Sequence, residues 1–141
     1  MSLKTYDPTA VKVIVNAIPM SGFADGDMVS VEFNEDAWTF HRGTDGDTSR
    51  IYMAQEGGMV TIRLASTSPM NAVLNGFAKL DKFTKMLPVS IMVIDTLGGT
   101  KILAMQAWLR KDPGVSFGRE VQEKEWVYDT DLLEIDHQGG F

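Results

Sequence analysis

The chain has 141 residues, of which 44% are hydrophobic and 23% charged, as expected for one folded domain. Its longest apolar run falls far short of the roughly 20 residues that a membrane-spanning helix needs, and the first eight residues lack the apolar core of a signal peptide. The absence of cysteine excludes disulfides, thiolate metal sites and cysteine nucleophiles. The net charge of −6 argues against a general nucleic-acid binder. We therefore expect a protein that is made and assembled in the cytoplasm.

The first part of the chain shows short strand patterns. Residues 11–18 are rich in β-branched side chains, which favours a strand. Residues 28–33 and 37–41 alternate apolar and polar side chains, and the second of these puts Trp38 and Phe40 on one side. The intervening residues 22–27 contain Gly and Asp and predict a turn.

Residues 42–58 are a different kind of segment, because they hold many Gly and Asp residues and little apolar periodicity. Two interpretations remain open: a long loop, or an extended hairpin with a mobile tip. Loops of this length inside compact domains are usually functional or disordered.

A strand and a helix follow each other closely after this segment. Val60, Ile62 and Leu64 alternate with polar or small residues, which predicts a half-buried strand. Ser68 can cap free helix amides, and Pro69 suits the first helical position. The helix is predicted over residues 69–85 with one apolar stripe at spacings of three and four: Met70, Val73, Leu74, Phe77 and Leu80.

The C-terminal half returns to strands. Residues 89–95 are nearly all apolar and predict a central strand covered on both faces, which pairs as a hairpin with residues 101–110. Residues 122–132 alternate, with Trp126, Tyr128 and Leu132 on one face. Residues 136–141 are expected to form a loose tail.

Together these elements predict a mainly antiparallel β-sandwich or barrel with about seven or eight strands and one flanking helix. We expect a single domain over residues 1–141, with a protruding loop at about 42–58 and the loose tail at about 136–141.

The candidate chemical sites are weak. The acidic loops at residues 25–27 and 45–48 lack the full set of oxygen ligands that calcium needs, and Asp-Gly is an expected turn pair. His41 and His137 have no neighbouring carboxylate pattern, and we interpret the pairs Gly57-Gly58 and Gly98-Gly99 as turns. We expect no catalytic residue, no cofactor and no metal.

Two compositional features leave alternatives open. Residues 120–136 carry seven acidic side chains against Lys124, which predicts either a solvated acidic edge or a surface that repels an anion. The chain has nine methionines, and we expect Met92 and Met105 to fill the core, whereas Met20 lies near a loop where it could meet a partner.

The order of these motifs carries a family resemblance. Residues 58–74, GMVTIRLASTSPMNAVL, resemble the strand-then-helix signature of tail tube proteins from contractile-tailed bacteriophages. The flanking motifs GFADGD at 22–27, AWLRK at 107–111 and FGREV at 117–121 fit as well, as does Glu125-Trp126. The resemblance covers roughly residues 11–130.

The resemblance implies a structural role in the virion. Six copies would close into a ring, their sheets would join into one inner barrel, and the rings would stack into a hollow tube inside a sheath. The implied partners are further copies, the tail sheath, baseplate and tape-measure proteins, and DNA that passes through the lumen without specific binding. No membrane insertion is implied.

By the same analogy, residues 42–58 would reach an adjacent ring or subunit. The contact residues that we expect there are Arg42, Asp45, Asp47, Arg50 and Tyr52. The physical properties agree, since an acidic wall discourages DNA from sticking and a ring of copies closes open sheet edges.

Two alternatives are kept. One is another ring-forming component of an injection machine, such as a secreted tube subunit or a tail terminator. The other is a β-barrel enzyme or ligand binder, which needs a deep pocket with convergent polar groups.

Overall fold

The computed structural model describes residues 8–24, 28–52 and 56–138. After a short 3₁₀ turn at Pro8–Ala10, the elements are β1 (Val11–Val15), β2 (Ile18–Pro19), β3 (Val29–Phe33), β4 (Trp38–Arg42), β5 (Thr48–Tyr52), β6 (Gly58–Ala65), α1 (Met70–Thr84), β7 (Val89–Asp95), β8 (Lys101–Lys111), β9 (Glu123–Thr130) and β10 (Glu134–Asp136).

Eight of the strands form one antiparallel sheet in the order β2-β1-β7-β8-β9-β6-β3, with β10 paired to the first residues of β8. The strands β4 and β5 form a separate two-stranded sheet. The fold is therefore mainly antiparallel β with a single helix, which confirms the predicted fold class. The predicted hairpin of β7 and β8 is also confirmed, with a bulge at its far end.

The strand predicted over residues 11–18 is interrupted. Asn16 and Ala17 have positive φ angles of 49° and 66°, so the chain turns back and β2 pairs with the end of β1. A residue of β7 stabilises this turn, because the Asn16 side-chain oxygen accepts a hydrogen bond from the backbone amide of Ser90 at 2.8 Å. Asn tolerates the left-handed region better than most residues, which accounts for the conformation of Asn16 but not for that of Ala17.

The core lies on one face of the main sheet. Alternate residues of β1, β6 and β7 are buried together with Leu74 of α1 and with Trp126 and Tyr128 of β9. Burial raises the pKa of Tyr128, and the nearby charge of Asp112 raises it further. Leu132 was predicted to share this face, but it is exposed and Leu133 is buried instead, since β9 ends at Thr130 and the alternation stops there.

The strand β7 is central in the sheet but is not covered on both faces as predicted. Val89, Ile91 and Val93 are buried, whereas Met92 on the opposite face is 38% exposed. The methionine predictions are also wrong in part: Met92 and Met105 are exposed, and Met20 belongs to the core.

The N-terminus of α1 is fixed on the sheet as the sequence predicts. The Ser68 hydroxyl accepts a hydrogen bond from the Met70 amide at 3.3 Å and donates one to the Ser21 carbonyl at 2.7 Å. Pro69 already has helical dihedral angles, with φ −65° and ψ −18°. One turn further, the Asn71 amide donates to the Ala65 carbonyl at 2.8 Å, and its oxygen accepts from the Trp126 indole at 3.0 Å.

The C-terminal segment predicted to be loose from residue 136 is tied down at its start. Asp136 pairs with Lys101 at the end of β10, and the Gln138 amide donates to the Thr100 hydroxyl at 3.2 Å. Residues 139–141 lie outside the described residues. In the described ranges, no helix combines the length and the apolar character that crossing a membrane requires.

Candidate assembly surfaces

Residues 53–55 of the segment predicted as a loop or a hairpin lie outside the described residues, and residues 42–52 belong to a hairpin that begins at Trp38. In it, β4 and β5 pair from Trp38 opposite Tyr52 to Arg42 opposite Thr48. In the turn, the Gly43 amide donates to the Asp47 carbonyl at 2.6 Å, and Gly46 has a φ of +91°, which glycine adopts without strain. Every residue of both strands is exposed. An isolated two-stranded hairpin is only marginally stable in water, so this one is suited to packing against a partner.

One side of the hairpin is aromatic and cationic. Residues directly opposite each other in an antiparallel pair lie on the same side, so the register groups Trp38, Phe40, Arg42, Thr48, Arg50 and Tyr52, which we call the aromatic face. The ring centroids of Trp38 and Tyr52 are 5.0 Å apart, and the Arg50 guanidinium carbon lies 3.7 Å from the centroid of a Trp38 ring. Phe40 is 77% exposed. Such a surface fits an apolar partner with negative charge at its rim.

The five predicted contact residues are all in this hairpin but occupy two places. Arg42, Arg50 and Tyr52 lie on the aromatic face. Asp45 and Asp47 lie in the turn, where the Asp45 carboxylate accepts a hydrogen bond from the Asp47 amide at 3.2 Å and so shapes the tip. Their role in subunit contacts stays a prediction.

Besides Thr48, the aromatic face includes two aromatic residues that were not predicted as contacts. Trp38 and Phe40 precede the polar segment in the sequence, and their placement on one side of a strand was visible in the alternation. What the sequence could not indicate is that both side chains stay exposed among the described residues, because that depends on where β4 and β5 lie relative to the main sheet.

The end of α1 forms a second exposed apolar surface, which sequence reasoning missed. Leu80, assigned above to the buried stripe, is 53% exposed, and Phe83 and Met86 are 88% and 81% exposed. We define the helix-end patch as these residues with Leu87 and the exposed lysines beside them: Lys79, Leu80, Lys82, Phe83, Lys85, Met86 and Leu87.

The side of the main sheet that faces away from the core carries a third surface. A cavity of about 380 Å³ lies over β7, β8 and β10. Within it, register places Met92 beside Leu103 and Glu134, and Ile94 beside Lys101, which neighbours Asp136. We call this the outer groove and define it by Met92, Ile94, Lys101, Leu103, Glu134 and Asp136.

The acidic run at residues 120–136 is only partly neutralised. Arg110 forms two hydrogen bonds with the Asp129 carboxylate, one of them at 3.0 Å from Nε, and these bonds and the charge of Asp129 raise the pKa of Arg110. Arg63 lies 3.7 Å from Glu125. The other acidic side chains are exposed, among them Glu134 and Asp136 of the outer groove. The two interpretations of the run, solvated edge or anion-repelling surface, both remain predictions.

The sequence motifs considered for chemistry are placed as follows. Within residues 8–24, 28–52 and 56–138, no group of three or more His, Asp or Glu side chains could hold a metal ion; the acidic loop at 25–27 lies outside these ranges. His41 is exposed on the hairpin side opposite the aromatic face, and His137 is exposed after β10. The interpretation of Gly57-Gly58 as a turn is wrong, because Gly58 is a buried residue of β6.

The amino-acid sequence matches a known family over most of its length. Residues 15–140 match the family described as bacteriophage PhiTE tail tube protein. A relative, the structural protein ORF10 of Pseudomonas phage KPP10, is 25% identical over 143 residues, which cover 96% of this chain and 83% of that protein.

Solved structures share the fold at low sequence identity. One chain of the sheath-tube complex of the extracellular contractile injection system PVC, in its extended state, aligns with a TM-score of 0.63 and 11% identity. The alignment covers 90% of this chain and 88% of that chain. The tube terminating cap of the anti-feeding prophage aligns with a TM-score of 0.60 and 12% identity, covering 97% and 95%. A chain in the virion of a native gene transfer agent aligns with a TM-score of 0.58 and 12% identity, covering 94% and 99%.

Proposed function

Because the chain belongs to the bacteriophage PhiTE tail tube protein family, we propose that six copies form a ring and that the rings stack into the tail tube. Family membership makes the chain a structural protein of the phage virion and not an enzyme. In our proposal residues 1–141 act as one tail tube domain, assembled in the host cytoplasm into a tail whose lumen conducts DNA.

The observation that carries the proposal is the exposed hairpin. Its aromatic face presents Trp38, Phe40 and Tyr52 to solvent, although aromatic side chains are the most favourable to bury. A contact with another copy would bury this face and order the hairpin. In our proposal Arg42, Arg50 and Tyr52 of the aromatic face make that contact across to an adjacent ring or subunit. Asp45 and Asp47 contribute to the same contact from the tip, which the hydrogen bond between them shapes.

The sheet itself supports closure by copies. In the described part of the chain, β3 ends one side of the main sheet and β2 the other. Open edges template uncontrolled pairing unless they are covered, and a cyclic arrangement covers both edges of every copy. The inner barrel of the proposed ring would be built this way.

The charge of the chain supports a conduit for DNA. The net charge of −6 discourages a polyanion from binding to the wall of a tube. A sheath would be one further partner, by analogy with the sheath-tube complex whose chain shares this fold. The baseplate and tape-measure proteins are the other partners of our proposal, as the resemblance to tail tube proteins implies.

Deleting the hairpin tests the proposal. The Asn34 amide donates to the Gly57 carbonyl at 3.1 Å, so the two ends of the hairpin segment are adjacent and residues 36–55 can be replaced by a short Gly-Ser linker. Because the core includes no residue of β4 or β5, we expect circular dichroism and thermal unfolding to show a folded domain, whereas electron microscopy shows no tubes.

A matched pair of point variants sharpens this test. Phe40→Ser changes the aromatic face and should abolish tubes, whereas Ile51→Ser on the opposite side of the same hairpin should leave them. Normal tubes from the deletion protein would contradict the role of the hairpin. Isolated rings from the unmodified protein would instead favour the terminator alternative, whose fold is shared by the tube terminating cap.

A further inference from the structure

We propose that the helix-end patch of one copy docks into the outer groove of the next copy. The inference rests on the proposed function, because it names one of the contacts through which copies assemble. It is separate from the hairpin, since neither surface includes a residue of β4 or β5.

The fold of a single copy leaves the apolar residues of the helix-end patch exposed. Leu74 and Phe77 lie on the side of α1 that packs against the core. Phe83 is six residues after Phe77 and so lies roughly 120° away around the helix axis. The 88% exposure of Phe83 therefore follows from its position on the helix. Exposed apolar side chains in a contiguous group mark an interaction site more often than scattered ones do.

The charges of the two surfaces are complementary. Three exposed lysines, Lys79, Lys82 and Lys85, stand beside the apolar residues of the helix-end patch, with Asp81 as the acidic side chain among them. The outer groove has an apolar floor, and its charged residues are Glu134, Asp136 and Lys101. The patch is thus cationic and the groove slightly anionic, which favours docking and fixes its orientation.

The size and placement of the groove fit the same occupant. A cavity of about 380 Å³ with Met92, Ile94 and Leu103 beneath it can accept the ring of Phe83. The helix packs on the core side of the sheet, whereas the groove lies on the face turned away from the core. One copy can therefore offer both surfaces at once, and such head-to-tail contacts generate rings or filaments.

Cross-linking between introduced cysteines tests the contact. The chain has no native cysteine, so Lys82→Cys with Glu134→Cys adds one thiol to each surface and leaves the apolar anchors intact. With a short bismaleimide, we expect a ladder of covalent oligomers on denaturing gels. The matched control, Lys82→Cys with Glu123→Cys, places the second thiol at an exposed position of the interior strand β9, away from the groove, and should give no ladder.

The outcomes separate this contact from the proposed function. Tubes without a ladder overturn the contact and leave the function standing. A ladder without tubes supports the contact and overturns the function, and the absence of both overturns both. A ladder of equal intensity in the control pair also overturns the contact, because the cross-link is then not specific to the groove.

Charge reversal gives a second test on the unlabelled protein. Lys82→Glu with Lys85→Glu should lower the assembled fraction about tenfold in sedimentation, because like charges then face each other at the groove. Adding Glu134→Lys and Asp136→Lys to the same chain should restore assembly. If the four-site variant assembles no better than the two-site variant, the pairing of these surfaces is wrong.

Discussion

Gly58 shows how a single residue sets the packing of β6. It is buried in the strand, opposite Phe33 on one side and Thr130 on the other. A Cβ at this position would lie 2.7 Å from the Glu32 carbonyl oxygen and closer still to the Leu133 side chain. Because the carbonyl belongs to the backbone of β3, it cannot rotate away as a side chain would.

We therefore expect Gly58→Ala to destabilise the fold by about 1–3 kcal/mol, the range typical of overpacked positions. Gly76 is the matched control. It lies in α1 with nothing within 4 Å of the added methyl group, so Gly76→Ala should stabilise the protein by roughly 0.5–1 kcal/mol. Urea unfolding followed by circular dichroism measures both, and equal effects of the two substitutions would contradict this assignment.

Single residues also show which features of the fold the sequence pattern does not predict. The pair Gly57-Gly58 has the composition of a turn, and its real function, a close approach of β6 to β3 and Leu133, depends on contacts between distant segments. Leu133 is buried instead of Leu132 for a similar reason. The strand β9 ends at Thr130, where the threonine hydroxyl donates to the Gln106 carbonyl at 2.8 Å. A period-2 pattern carries no information about that bond.

At the scale of elements, Asn71 joins the helix to the sheet. Its side chain accepts from the buried Trp126 indole at 3.0 Å and donates to the carbonyl of Ala65 in β6 at 2.8 Å. These bonds attach the first turn of α1 to β6 and β9, and the Ser68 hydroxyl accepts from the Met70 amide at the same end of the helix.

Asn71→Ala should lower the free energy of unfolding by about 1–3 kcal/mol, because it leaves the indole N–H of Trp126 without its acceptor. Asn75→Ala removes the same side chain one turn later, at an exposed position, and should change stability by no more than about 0.5 kcal/mol. Thermal unfolding of the two variants compares them directly. A loss from Asn75→Ala as large as that from Asn71→Ala would show that helix propensity, and not the bond to Trp126, decides the result.

Elements with a strong local pattern were predicted well. The helix, β7 and β8 each begin within one residue of the expected position, because capping residues, β-branched runs and Gly-Gly turns are local signals. The polar strand β5 was expected only in the hairpin interpretation of residues 42–58, and β10, which is three residues long, was not predicted. Both are defined by their pairing with β4 and β8, which sequence periodicity alone does not indicate.

At the scale of the whole molecule, the described residues of a single copy leave three surfaces uncovered: the aromatic face, the helix-end patch and the outer groove. The first was expected in outline from residues 42–58. The other two combine residues from α1, β7, β8 and β10, whose exposure depends on how the helix and the sheet pack. A chain of 141 residues with three such surfaces is suited to contact several copies of itself.

Electron microscopy of the concentrated, unmodified protein tests the central claim most directly. The account predicts long hollow tubes built from stacked rings, with six-fold symmetry in end views. A protein that stays monomeric at every concentration, by sedimentation and in the same images, would contradict it.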